Sequence, residues 1–383
     1  MVCAALEAVR ALGPDLETRS NEIERNRALP VDLLDRLKPT GAFRMYVPLD
    51  LGGPGLTAWE SLQVIEELAF HDGATGWCAM IGSTTSLLSS YLPAPHAEEV
   101  FGAPDSVSGG FAMPCGRAVP VEGGLRVTGR WAWGSGTRHC TWIGGGALVV
   151  GSDGKPQPRA DGLAAPFVFF RPEEVEFIDN WDVSGLSGSG SGDYEVRDVF
   201  VPEGRWAQMD RAPVLENTFS RLSMWGLLAC GVSACALGLG RRAVHELVEL
   251  AGAKRPQGSK RILAERGPVQ AEVASSEAQL ASAWAFVRDA IGDAWATAEK
   301  GERPSLEQMR QLRLAATHAT HSAAEVTEKM YKAGGGAAVY RTSPLQRVFR
   351  DAHVATQHVL VAPLTLEIIG CLRLGIESVT RAL

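Results

Sequence analysis

Two polar side chains stand in sequence surroundings that could support chemistry. Ser135 follows Trp133 in the string Trp-Gly-Ser-Gly that ends at Gly136, and His358 lies in a long segment near the end of the chain. A serine hydroxyl can hold a reactive group by a hydrogen bond, and a histidine, which titrates near neutral pH, can act as a base or as a hydrogen-bond partner. Each residue also has an ordinary interpretation, as a turn serine and as a core histidine. No helical pattern follows Ser135, so the hydrolase type of serine elbow is not indicated.

Two glycine-rich segments could bring backbone N–H groups close to a ligand. In residues 185–192 the glycines stand at 185, 188, 190 and 192, and a strand follows them, so the dinucleotide fingerprint Gly-x-Gly-x-x-Gly is not met. This segment, which includes Ser189, is either a turn or a loop that faces a cofactor. Gly334, Gly335 and Gly336 join two predicted helices, where they could end a helix or allow close approach to a phosphate or ring.

The remaining candidate ligands do not form a metal motif. His318 and His321 share a predicted helix face, but the chain contains no Glu-x-x-His pair of the kind found in di-iron bundles. The seven cysteines are scattered, odd in number and without a Cys-x-x-Cys pair. This pattern indicates neither a zinc ribbon nor a disulfide framework, and it favours reduced thiols in a cytoplasmic protein. We therefore predict no metal site, and we find no signal-peptide pattern at the N-terminus.

Composition excludes several classes of protein. The 383 residues carry 37 basic and 44 acidic side chains, a net charge of −7, which argues against a nucleic-acid partner. A hydrophobic content of 45% is enough for large cores. Residues 222–240 contain no charge and approach the length of a membrane span, but they are mostly small residues. We interpret them as a buried core helix and predict no membrane partner.

The elements that must position these residues follow in three blocks. Residues 1–105 are mainly helical in pattern, with an apolar period of 3.6 in 59–70 and a buried helix predicted over 75–91. Residues 106–213 alternate with turn signals, with strands predicted at 125–133, 147–150, 165–170 and 194–201. Residues 214–383 predict four long helices at about 215–251, 265–300, 304–334 and 343–381, which would form an antiparallel bundle.

This order of blocks, together with four strings, resembles the acyl-CoA dehydrogenase fold: N-terminal helices, a middle β-sandwich or barrel and a C-terminal four-helix bundle. The strings are LKPTGAFRMYVPLDLGGPG at 37–55, GRWAWGSG at 129–136, WDVSGLSGSGSGDYEVRDVFVP at 181–202 and AGGGAAVYRTSPLQRVFRDA at 333–352. The resemblance covers nearly the whole chain.

One departure from that family concerns the chemistry. The family's catalytic Glu follows its Arg-Asp-Ala motif, and counting from Arg350 places Val359 at the Glu position and His358 at the preceding Tyr position. Valine cannot remove a proton. The Trp-Gly-Ser-Gly string and the Arg350 to His358 spacing resemble instead the class D flavin-dependent monooxygenases, including hydroxylases and N-oxygenases.

The resemblance implies a cofactor, partners and residue roles. Reduced FMN or FAD, supplied by a separate reductase, would add O₂ at C4a to form a hydroperoxide, which then oxygenates a small aromatic or nitrogen-containing metabolite. Ser135 would donate a hydrogen bond near flavin N5, Trp133 would pack against the ring, and His358 would be a base or hydrogen-bond partner. Gly136, Ser189 and residues 334–336 would line the cofactor, some of them across subunits of a homotetramer.

Two alternatives stay open at this stage. The chain could be an FAD-dependent acyl-CoA dehydrogenase or oxidase whose base lies elsewhere, or a catalytically inactive binding member of the fold.

Overall fold

The computed structural model describes residues 3–377, and its first part is helical. Local signals explain two of its helices. The Thr57 side chain and Glu60 form a reciprocal capping box at the start of α3, and Asp72 both ends α3 and caps α4 through the backbone N–H of Thr75. The predicted helices over 59–70 and 75–91 correspond to α3 and to α4 with the 3₁₀ turn that follows it. The helices are α1 (Ala4–Asn26), α2 (Val31–Leu37), α3 (Ala58–His71), α4 (Gly73–Ser86) and α5 (Ala94–Phe101).

The middle of the chain forms one mixed sheet of seven strands, in the order β5-β6-β2-β1-β3-β4-β7. Neighbours are antiparallel except for β1 and β3, which run parallel. The strands are β1 (Ser108–Val121), β2 (Gly124–Trp131), β3 (Trp142–Val149), β4 (Phe167–Phe170), β5 (Glu176–Phe177), β6 (Tyr194–Pro202) and β7 (Trp206–Ala207).

Strand β1 is the long strand that hydrophobic alternation did not predict. Its pairing with β3 shifts register between Phe111 and Pro114 and again between Pro114 and Gly116. A bulge of this kind interrupts the period of two on which strand prediction depends. The irregular segment lies at one wall of the cavity described below.

The last part of the chain is a helical bundle around α7. Its helices are α6 (Thr218–Arg221), α7 (Met224–Ala253), α8 (Gly267–Glu299), α9 (Leu306–Gly334), α10 (Pro344–Ala355) and α11 (Pro363–Arg373). Helix α7 is long and apolar enough to span a membrane, but 94% of its most apolar window is buried in the fold. Gly238 explains part of this packing, because a Cβ there would lie 2.3 Å from the backbone oxygen of Glu66 in α3.

Two predicted helix boundaries in the bundle are wrong. The helix predicted from residue 215 begins only at Met224, after a cap from Ser223. The continuous helix predicted over 343–381 is broken after Ala355: a 3₁₀ turn at Val359–Val361 follows, and α11 begins at Pro363. Proline disfavours helical backbone in the residue before it, which accounts for the extended Ala362 in front of α11 but not for the end of α10 at Ala355. The end of that predicted range, 378–381, lies outside the described residues.

Candidate functional site

A cavity of about 300 Å³ lies where the sheet meets both helical parts of the chain. Its walls come from α4, from the bulged part of β1, from the loops after β2 and before β6, from the start of α7 and from the break between α10 and α11. The lining residues that the following argument uses most are Trp77, Phe111, Trp133, Ser135, Ser191 and His358.

Ser135 reaches this cavity because β2 ends early. The strand stops at Trp131, and the chain then turns through Trp133, whose φ of 55° is unusual for a residue with a side chain. The next turn is joined to the glycine-rich loop of residues 185–192: the Gly136 N–H donates to the Ser189 carbonyl at 2.8 Å, and the Gly134 N–H donates to the Gly192 carbonyl at 3.0 Å. The structure thus brings together two motifs that lie about fifty residues apart in the sequence.

The hydroxyl group of Ser135 belongs to a buried hydrogen-bond chain. Trp77 Nε1–H donates to Ser135 Oγ at 3.0 Å, Ser135 Oγ lies 2.7 Å from Ser191 Oγ, and Ser191 Oγ lies 2.6 Å from Ser189 Oγ. The chain ends where Ser189 donates to the carbonyl of Leu186 at 2.6 Å. Trp77 and Ser191 are members of this chain that the sequence analysis missed.

Contacts with helix α10 of the C-terminal bundle hold the loop that carries Ser189. The Leu186 N–H donates to Asp351 Oδ1 at 2.6 Å, and a Cβ at Gly185 would lie 2.5 Å from the backbone of Arg350. Asp351 is buried, and this burial raises the pKa of its carboxyl group to about 7. Residues 185–192 therefore form a mostly buried loop beside the cavity, and that this loop faces a cofactor stays a prediction.

Trp133 lies at the cavity but remains 61% exposed, with its ring 5.7 Å from the ring of Phe111 in an edge-to-face arrangement. A large indole held open to solvent by a strained backbone suggests a position reserved for a ligand or a second chain. Its packing against a flavin ring stays a prediction.

His358 lies at the break between α10 and α11, not inside a helix as predicted. Its ring meets Trp77 edge-on at 5.8 Å, and its Nδ1 accepts a hydrogen bond from the Leu360 N–H at 3.3 Å. This bond assigns the proton of the neutral ring to Nε2. Partial burial, and secondarily the charge of Arg313, lowers the pKa of His358 to about 4. The geometry therefore favours a neutral hydrogen-bond donor over a base.

The other predicted site residues lie elsewhere. None of Gly334, Gly335 and Gly336 lines the cavity; they end α9, where the Gly334 carbonyl accepts from Lys254 Nζ. Their contact with a flavin across subunits stays a prediction. His321 Nε2 lies 2.9 Å from the Val361 carbonyl, and among residues 3–377 no group of three His, Cys, Asp or Glu side chains could hold a metal ion.

The residues at the cavity fit the planar ring of a flavin. The cavity volume is at the lower end of the ~300–1,000 Å³ typical of small-molecule sites, and aromatic side chains provide flat apolar walls for a planar ring. Hydroxyl oxygens with free lone pairs supply polar contacts at one side. Most of the residues that create this fit, such as Phe111 and Trp225, are single aromatic residues in segments without any motif, so the sequence offered no signal for them.

Comparison with known proteins agrees with this geometry. The acyl-CoA dehydrogenase N-terminal domain matches residues 6–93, and the acyl-CoA dehydrogenase C-terminal domain matches residues 230–363. The chain is 32% identical to the indole-3-acetate monooxygenase of Pseudomonas putida, covering 97% of this chain and 96% of that protein. It is 30% identical to the flavin-dependent monooxygenase oxygenase subunit HsaA of Rhodococcus jostii, covering 94% of each.

A solved structure independently supports the fold assignment. The crystal structure of 3-HSA hydroxylase from Rhodococcus sp. RHA1 superimposes with a TM-score of 0.90 at 26% identity, over 99% of both chains. The fold expected from the sequence, helices followed by a central sheet and a helical bundle, is confirmed. With relatives of this similarity aligned along almost its whole length, the chain belongs to the acyl-CoA dehydrogenase superfamily and, within it, to the flavin-dependent monooxygenases.

Proposed function

We propose that this protein is the oxygenase component of a two-component system that hydroxylates a neutral aromatic metabolite. It would take reduced FMN or FAD from a separate reductase and use O₂ as the second substrate. The observation that carries the substrate class is the cavity wall: among the described residues that line it, none is Lys, Arg, Asp or Glu. A carboxylate or ammonium group would lose its hydration there without gaining a charged partner.

The shape of the wall supports an aromatic substrate. Trp77, Phe111 and Trp225 line the cavity with flat apolar surfaces, and aromatic groups pack against one another in edge-to-face or offset arrangements. Two of its polar side chains turn their protons away: the hydroxyls of Thr84 and Thr85 donate to carbonyls of their own helix. A small neutral ring with one polar atom meets these constraints.

When bound, the reduced flavin would supply the two electrons that activate O₂, so that one oxygen atom of O₂ passes to the substrate and the other leaves as water. The chain itself contributes a dry enclosure and directed hydrogen bonds. His358 is the only titratable side chain on the described cavity wall, and its Nε2–H can donate to the oxygen or nitrogen atom of a substrate. Because its pKa is lowered to about 4, His358 stays neutral at physiological pH and keeps this donor.

The residues of the cavity wall also argue against the acyl-CoA dehydrogenase alternative. Val359, which occupies the position of that family's catalytic Glu, is apolar, and no carboxylate lines the described cavity to replace it. Two relatives that align along more than nine-tenths of the chain are named as monooxygenases, which also disfavours an inactive binding protein.

We further propose that the enzyme works in the cytoplasm as a homotetramer. An exposed apolar surface supports assembly: Val359, Leu364, Leu366, Leu374 and Ile376 present large apolar side chains to solvent around α11. Exposed apolar side chains concentrated in one segment favour an interface between subunits. The burial of α7 within the fold is consistent with a protein that does not insert into a membrane.

The test uses two substrates that share a ring system and differ in charge. The protein is mixed with photoreduced FMN or FAD, oxygen and either indole or indole-3-acetate, and hydroxylated product is quantified. We expect kcat/KM to be at least about tenfold higher for indole, as the cost of burying an unpaired carboxylate exceeds ~1.4 kcal/mol. Equal values for the two substrates would contradict the proposed substrate class, and no oxygenation of any aromatic compound would contradict the function.

A charge variant sharpens this test. Gln357 lines the cavity and is exposed on its other side, so Gln357→Lys can place a cation at the rim. Gln357→Lys should lower the ratio of kcat/KM for indole to kcat/KM for indole-3-acetate. Gln357→Met, which has similar length and no charge, should leave this ratio unchanged. A preference that both variants alter equally would show that the wall charge does not determine specificity.

A further inference from the structure

In the hydrogen-bond chain that begins at Trp77 and Ser135, the donors can point in only one direction. The Leu186 carbonyl is an acceptor only, so the single proton of Ser189 points to it. Ser191 must then donate to Ser189, because the two oxygens lie 2.6 Å apart and one proton has to lie between them. By the same reasoning Ser135 donates to Ser191 across 2.7 Å, and Trp77 Nε1–H donates to Ser135.

This direction determines what Ser135 offers to a ligand. Its proton is committed to Ser191 and one lone pair is occupied by Trp77, so only its second lone pair is free for a bond into the cavity. Ser135 is therefore an acceptor at this site, whereas the sequence analysis had expected a donor. All three serine side chains are at least 94% buried, so bulk water offers no easy replacement for a lost member of the chain.

The two redox states of a flavin differ at one atom that such an acceptor can distinguish. N5 of the oxidised ring has a lone pair and no proton, whereas N5 of the reduced ring carries an N–H donor. An oxygen that can only accept a hydrogen bond matches the reduced ring and opposes the lone pair of the oxidised ring.

We infer that Ser191 and Ser189 select reduced over oxidised flavin by fixing the direction of the Ser135 hydroxyl group. The inference rests on the proposed function, in which the flavin ring lies against Ser135. Ser191 and Ser189 are positioning residues, since they act through Ser135. Without the Ser191 oxygen, Ser135 could turn its proton into the cavity and donate to oxidised N5. Without Ser189, Ser191 could reverse and donate to Ser135, with the same result.

The experiment measures the dissociation constants of oxidised and reduced FMN, the latter under anaerobic conditions, without any turnover. We expect the ratio of the oxidised to the reduced constant to fall about fivefold or more in both Ser191→Ala and Ser189→Ala, which corresponds to the net effect of one neutral hydrogen bond. Ser191→Thr keeps a hydroxyl group and should restore the wild-type ratio. Ser187→Ala is the matched control, because this buried serine of the same loop donates to Val183 and is not part of the chain.

The outcomes separate this inference from the proposed function. If wild-type protein binds neither form of FMN or FAD, the function fails and the inference with it. If wild type binds flavin but both alanine variants keep its ratio, the inference alone is overturned. A purely structural role would weaken both forms together and leave the ratio unchanged; circular dichroism establishes that each variant is folded, and Ser189→Ala provides the second route if Ser191→Ala is not.

Discussion

Replacing Asp351 by asparagine should make the protein more stable, and increasingly so as pH rises from about 5 to 8. Asp351 is 6% exposed and accepts the Leu186 N–H at 2.6 Å. An asparagine oxygen can accept the same bond, so the substitution removes the ionisation and keeps the geometry. The charged groups around it are Arg347 and Arg350, which favour the carboxylate, and Asp72, which opposes it; burial outweighs them all and raises the pKa to about 7.

The sign and size of the effect follow from linkage. The ordinary pKa of Asp is 3.8, so between about pH 4 and 7 the folded protein holds a proton that the unfolded chain has released. The free energy of unfolding of the wild type therefore falls as pH rises through this interval. A displacement of about three pH units corresponds to about 4 kcal/mol in total, of which roughly 2–3 kcal/mol falls between pH 5 and pH 8. The Asp351→Asn variant does not incur this penalty.

Equilibrium unfolding in urea at pH 5 and pH 8 measures the difference directly, at one protein concentration because assembly adds to apparent stability. An unfavourable fit of the buried amide would lower stability equally at both pH values, so the diagnostic quantity is the change with pH. Asp289→Asn, at an exposed position of α8, is the control and should show a much smaller change. If the stability of the Asp351→Asn variant relative to wild type is the same at pH 5 and pH 8, Asp351 is already ionised at pH 5 and the argument fails.

Three further outcomes are expected. Ser135→Ala should weaken reduced-flavin binding about fivefold and divert consumed O₂ to H₂O₂; a change below about twofold in both would remove Ser135 from the site. His358→Ala should lower product formation more than His358→Gln, which keeps an N–H donor. The wild-type rate should show no step between pH 6 and 8 that is due to His358, because its lowered pKa keeps it neutral there. Wild-type product formation by the Ala variant would exclude His358 from the reaction. Light scattering should give a tetramer at micromolar concentration, with an interface of at least ~2,000 Å²; a monomer would contradict the proposed assembly.

The sequence was sufficient for the three-block order of helices, sheet and helical bundle, because apolar periodicity and turn signals act locally. Thr57 with Glu60 and Asp72 with Thr75 mark helix starts that are visible in the residue types alone. Ser135 and Ser189, taken from family-like strings, and His358, taken from its spacing to Arg350, line one cavity in the structure, while their roles toward a flavin stay predictions. The break after Ala355 was missed because the apolar residues on both sides keep a helical period.

The direction of the hydrogen bonds could not be predicted from the sequence. It depends on Leu186 turning its carbonyl toward Ser189, and Leu186 has a left-handed backbone with φ of 51°, which no leucine signals in advance. Similarly, the proposal that His358 is a neutral donor and not a base depends on the Leu360 N–H that Nδ1 accepts. Both contacts join residues only two or three positions apart, and both depend on an irregular local backbone that residue type and spacing do not specify.

The contacts of Asp351 connect the stability of the fold to the chemistry of the cavity. A buried carboxyl group with a raised pKa reduces stability at neutral pH. It holds the Leu186 N–H, and the carbonyl of that same residue ends the hydroxyl chain that leads through Ser189 and Ser191 to Ser135. Helix α10 thereby fixes, through these four hydrogen bonds, the one lone pair that Ser135 presents to the cavity. Asp351 thus holds in place the loop whose hydroxyl chain leads to the cavity.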